Sequence, residues 1–231
     1  MTNEKTLDYL QRGVAYIAKT VENLEKTVNQ QNNQANKRLD VECAQLNSKN
    51  TFLKIKGNYF SIEKVLFSFV QFDDTTKKRI ADIDVCLSFS EFEAFACDIL
   101  NGLIFNAAAQ EKAKGEKYPR AVYHSPLGGI NEEKCKERKL RSDGKAISRS
   151  FNLAPGNRQP YIITAEQRPG KTDERGLIVP ENGRPEIVIR VPATREMLIG
   201  AVELTNRHIT AYLAGMYADK NGSFYYVPKQ R

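Results

Sequence analysis

A strand that runs straight into a capped helix occurs twice in this chain, and that repeat limits its possible folds more than any other feature. Ile83-Asp-Val-Cys-Leu-Ser-Phe-Ser90 leads into Glu91-Phe-Glu-Ala-Phe95, and Ile187-Val-Ile-Arg-Val-Pro-Ala-Thr194 leads into Arg195-Glu-Met-Leu-Ile199. In both copies apolar residues alternate (Ile83, Val85, Leu87, Phe89; Ile187, Ile189, Val191), the period of a strand with one buried face. A hydroxyl then precedes a helical pattern, where an N-cap side chain accepts from first-turn amides, and Ser90 with Glu93 reads as a capping box. The spacing predicts a duplicated sheet-plus-helix unit, each sheet with one face left bare.

The rest of the chain divides around this repeat. Leu7, Leu10, Val14, Ile17, Val21, Leu24 and Val28 follow a heptad seam, which predicts an amphipathic helix that either self-associates or docks in cis. Asn29 to Asn36 is a polar low-complexity stretch, and the weaker stripe Leu39, Cys43, Leu46 extends the helix, so residues 1–47 are expected to form an N-terminal oligomerising or docking element. Residues 50–106 form the first unit, with strands over Thr51 to Lys56, Phe60 to Phe72 and from Ile83, and a helix carrying Phe92, Phe95, Ala96, Ile99 and Leu103 on one face. All nine prolines lie from Pro119 onward, so residues 119–220 make a second, turn-rich unit of short strands. A long helix from Arg195 closes it, with Leu198, Ala201, Val202, Thr205, Ile209, Tyr212, Leu213 and Met216 on one face and a stop at Asn221-Gly222.

Several chemistries are not legible. Cys43, Cys86, Cys97 and Cys135 lack Cys-x-x-Cys spacing, and only His124 and His208 could join them, so no zinc site or other cofactor is expected. No phosphate-binding glycine loop, H-E-x-x-H or G-x-S-x-G motif occurs, and Asp73, Asp74, Asp82 and Asp84 read as a turn and a strand surface rather than a two-metal centre. Catalysis is not expected. No signal peptide or apolar run long enough to span a membrane is seen, which points to a reducing, cytoplasmic setting.

Charge points elsewhere. The chain carries 35 Lys and Arg against 28 Asp and Glu, a formal +7 with a pI near 9.1, which favours polyanionic partners. Lys134, Lys136, Arg138, Lys139, Arg141, Lys145 and Arg149 share their segment with only Glu137 and Asp143, a local charge of +5. Arg158, Arg168, Lys171 and Arg175 follow, and strand periodicity puts Arg190 opposite the helix-facing side. Tyr123, Phe151 and Tyr161 are interleaved with these cations, and Phe52 shares a strand face with Lys54 and Lys56. Bases stack on such rings while Lys and Arg track phosphates. The first unit's strand is acidic where its counterpart has Val188 and Arg190, so binding is expected to lean on the second unit.

Several antiparallel strands followed by a helix, repeated once over about residues 50 to 218, resemble the Whirly and PC4-like single-stranded DNA-binding proteins. Asp143-Gly-Lys-Ala-Ile-Ser148 resembles the Lys-Gly-Lys-Ala-rich strand of Whirly proteins, with Asp143 in place of the leading lysine. The resemblance implies that Lys145 lies beside the nucleic acid. The expectation is an α+β protein of antiparallel sheets that binds single-stranded DNA, or RNA, with little sequence preference and without catalysis, as a homo-oligomer. Its expected contacts are Phe52, Lys54, Lys56, Lys139, Arg141, Lys145, Arg149, Arg158, Tyr161, Arg168, Lys171, Arg175 and Arg190. The other reading is a structural or adaptor protein of a phage or mobile element that works through its N-terminal helix.

Overall fold

The computed structural model describes residues 41–217, so the heptad stripe, the polar stretch after it and the stop at Asn221-Gly222 lie outside the described residues. Alternating burial makes the first four elements strands: β1 (Glu42–Asn47), β2 (Thr51–Lys56), β3 (Lys64–Phe72) and β4 (Arg79–Ser88). They form an antiparallel meander in chain order. The expected helical extension through Cys43 and Leu46 is therefore corrected: this stretch is an edge strand, and a register shift at Glu42/Ala44 lets both Cys43 and Ala44 turn inward. Pairing with β2 outweighs a weak helical stripe.

Two helices follow, α1 (Phe89–Leu100) and α2 (Leu103–Ala113). The capping box is present two residues earlier than expected: Ser88 Oγ accepts from Glu91 N at 3.3 Å while Glu91 Oε2 accepts from Ser88 N at 2.7 Å. Ser90 and Glu93 are both exposed. Gly102, at φ 76°, separates α1 from α2 with a 63° bend, so Leu103 leaves the buried stripe and faces solvent.

The second unit opens with β5 (Tyr123–His124), β6 (Gly128–Ile130) and the short helix α3 (Glu132–Glu137). Then come β7 (Ala146–Pro155), β8 (Tyr161–Thr172), β9 (Ile178–Pro180), β10 (Ile187–Ala193) and α4 (Arg195–Tyr217). The spatial path β5-β7-β8-β10 repeats the meander of the first sheet, with β6 added to β7 and β9 to β8. As expected from the repeat, Thr194 Oγ1 accepts from Met197 N at the start of α4.

Both sheets and three helices share one core. Phe67 and Phe69 of β3 meet Phe151 of β7 at centroid distances of 5.0 and 5.8 Å, Phe95 of α1 closes on the same ring, and Leu198, Val202 and Ile209 of α4 complete the cluster. Phe151, one of the aromatics interleaved with the basic residues, is thus core. Met216 is exposed although it continues the stripe of α4. Among the described residues no single helix is long and apolar enough to cross a membrane.

Candidate nucleic-acid interface

With the apolar side of each strand turned to the core, alternation decides which side chains meet solvent. On the first sheet, register aligns Asn47–Phe52–Val70–Asp82, then Gln45–Lys54–Ser68–Asp84, then Glu42–Lys56–Leu66–Cys86 across the outer face. Phe52 and Phe72 hold their rings 5.5 Å apart on this face, and Val70 beside them is only 6% exposed. Lys54 Nζ sits 5.4 Å from the centre of the Phe52 ring and 2.7 Å from Glu42. Lys56 is the next cation on the strand and has no ion-pair partner among the described residues. An aromatic pair with two lysines in adjacent rows is a surface on which bases stack and phosphates are neutralised.

The outer face of the second sheet is different. Its rows are His124–Asn152–Thr164–Arg190 and Ser150–Glu166–Val188, with Ser148–Arg168 beyond. Only Arg168 and Arg190 among the sequence-derived contacts lie on it. Arg168 donates Nε and Nη2 to Glu166 at 3.0 and 2.7 Å and Nη1 to the Gly183 carbonyl, whereas Arg190 is exposed. Tyr161 and Arg149 fall on the core-facing side of their strands, because they share parity with Ile163 and Phe151. The Tyr161 ring packs 5.2 Å from Phe105, and burial holds its hydroxyl above the usual range, so it makes a poor stacking platform.

The basic segment also sorts into two kinds. Asn131 caps α3 by accepting from Lys134 N, and the buried Cys135 anchors it, leaving Lys134, Lys136, Arg138 and Lys139 exposed. Arg141 is instead bound up: its guanidinium donates to Asp143 at 2.8 and 2.6 Å and to Glu186 at 2.7 Å, with 12% of the side chain exposed. Arg141 holds the Asp143 carboxyl well below the usual range. Lys145 pairs with Glu181 at 2.6 Å, which ties the segment just before β7 to the residue that follows β9. Arg158 is exposed between β7 and β8, and Lys171 and Arg175 are exposed at the β8–β9 end.

The acidic strand β4 borders a feature that the sequence does not announce. The β6 segment, paired with β7, lines a cleft of about 410 Å³ together with residues on the outer side of β3 and β4. Its walls include Tyr59, Lys64, Leu66, Asp84, Cys86, Ser88, Gly128, Gly129, Arg138 and Arg149. Gly129 makes the close pairing of β6 with β7 possible: at φ 147°, an added Cβ would fall 1.9 Å from the Ile147 carbonyl oxygen. The remaining carboxylates are dispersed. Asp73 accepts from the amides of Thr75 and Thr76, Asp74 pairs with Lys49, and Asp82 pairs with Arg79 at 2.6 Å. Among the described residues no group of three or more His, Cys, Asp or Glu side chains is placed to hold a metal ion. From sequence alone, Gly128-Gly129 reads as a turn and gives no sign of the cleft. No known family model matches this chain, and no curated protein matches it.

Proposed function

We propose that this protein binds single-stranded nucleic acid, DNA in preference to RNA, without catalysing a reaction. The observation that carries the reading is the half-buried Phe52–Phe72 pair on the outer face of the first sheet, flanked by Lys54 and Lys56. Bases stack on the rings, and the phosphates follow the lysines toward Lys64, Arg138 and the exposed end of α3. Arg158, Lys171, Arg175 and Arg190 extend the positive surface on the second unit, while Arg141, Lys145 and Arg168 serve mainly to pin strands together.

The twofold meander-plus-helix order supports the resemblance to Whirly and PC4-like proteins, and with it assembly into a homo-oligomer through the N-terminal residues or the sheets. Four free thiols, two of them buried, suit a reducing, cytoplasmic setting. Burial pushes the Cys43 thiol up to about 12, which makes it unreactive at neutral pH. Salt-titrated binding of labelled single strands, against a duplex of the same length, tests the proposal. Single strands are expected to bind and to weaken steeply with salt.

A further inference from the structure

The cleft beside β4 contains an acceptor that the protein leaves unsatisfied. Asp84 Oδ1 is shut off from solvent and has no hydrogen-bond partner. Such a group is costly to leave unmade, and native structures seldom keep one without a use. The charged groups sharing the cleft are Lys64, Arg138, Arg149 and Glu91. Glu91 is already engaged with the amide of Ser88, and among the described residues Arg149 has only the neutral Gln167 as partner, through Nε at 2.9 Å. The cleft therefore offers one carboxylate that seeks N–H donors and three cations that seek an anion.

A nucleotide carries both. Among the nucleobases, guanine alone places two adjacent N–H donors, N1–H and the 2-amino group, on one edge, matching the two oxygens of a carboxylate. Adenine and cytosine offer one amino group beside a ring acceptor, and uracil and thymine one N–H between two carbonyls, which a carboxylate repels. A volume of about 410 Å³ lies within the range of small-molecule sites. We propose that this cleft receives a single guanine nucleotide, with Asp84 accepting from N1–H and the 2-amino group and Lys64, Arg138 and Arg149 facing the phosphate. The inference rests on the single-strand reading and adds to it one position at which the otherwise sequence-tolerant surface reads a base.

The test is calorimetric titration of the full chain with guanosine, inosine and uridine 5′-monophosphates, beside thymine oligonucleotides with and without one central guanine. Guanosine monophosphate should bind roughly 10-fold or more tighter than uridine monophosphate, with inosine monophosphate between them because it lacks the 2-amino group. Asp84→Asn should erase the preference and keep thymine-strand affinity, and Arg149→Gln should weaken all three nucleotides alike. Equal affinity for the nucleotides overturns the proposal in the unaltered protein, with no dependence on how a variant folds. A guanine preference that survives Asp84→Asn overturns it too. Thymine strands that bind with no guanine preference remove the pocket and leave the sheet surface standing. Guanine preference with no thymine-strand binding supports the pocket and removes the sheet surface.

Discussion

Thr51 Oγ1 donates a 2.9 Å hydrogen bond to the carbonyl of Arg190, across a sequence separation of 139 residues. Thr51 opens β2 of the first sheet and Arg190 lies in β10 of the second, so this bond fastens one unit of the repeat to the other. Thr51 is buried, and Val in its place would keep the shape but orphan the carbonyl. Thr51→Val should cost about 1–3 kcal/mol in denaturant unfolding and leave oligonucleotide affinity unchanged. A cost near zero would show that the sheets are held by their aromatic core alone.

The two serines at the first junction make opposite predictions. Ser88 caps α1 in a reciprocal pair with Glu91, while Ser90 is exposed within the helix. Ser88→Ala should destabilise by about 1 kcal/mol, and Ser90→Ala by less than about half of that. Thermal melts of the two variants decide the matter, and equal effects would contradict the assigned helix start.

Asp143 supplies a pH dependence. Its bonds to Arg141 keep its folded carboxyl well below the usual range, so it contributes stability above the unfolded carboxylate value of about 3.9. That contribution is lost progressively as pH falls below this value toward the folded one. The stability gap between the parent protein and Arg141→Gln should therefore be widest near neutral pH and shrink on acidification. A gap that stays constant from neutral to strongly acid pH would show that Arg141 acts by packing rather than by charge.

The sorting of cations by partner predicts unequal effects on binding. Lys56 and Lys139 are outward, with no ion pair among the described residues, and Arg141 and Lys145 are held by carboxylates. Lys56→Gln and Lys139→Gln should each lower the logarithmic salt slope by about 0.7, the share of one phosphate contact on a single strand. Lys145→Gln should change that slope little and chiefly weaken the junction with Glu181. Filter binding at several salt concentrations separates the two classes.

Strand alternation made much of this architecture readable. Ile83, Val85 and Leu87, like Ile189 and Val191, turn inward as their spacing requires, and Arg190 and Lys56 turn outward. Local patterns failed where pairing or a single glycine decided the outcome. The stripe ending at Cys43 and Leu46 fits a helix until β2 pairs with it, and Gly102 bends a helix that composition alone would continue. The basic run was legible as charge but not as partners, since Glu181 and Glu186 lie some 36 and 45 residues from the cations they neutralise. Tyr161 and Arg149 read as exposed because a strand's parity does not say which side the second sheet covers.

In the proposed binding mode, single-stranded nucleic acid lies on the outer face of the first sheet, held by Phe52 and its lysines. Fluorescence anisotropy with a labelled thymine strand of about 30 nucleotides, comparing the parent protein with Phe52→Ala, tests it most directly. The account predicts binding at low salt, a preference for the single strand over a duplex, and a loss of about 1–3 kcal/mol of binding free energy in Phe52→Ala. Failure of the parent protein to bind at low salt, or unchanged affinity in a folded Phe52→Ala protein, would contradict it.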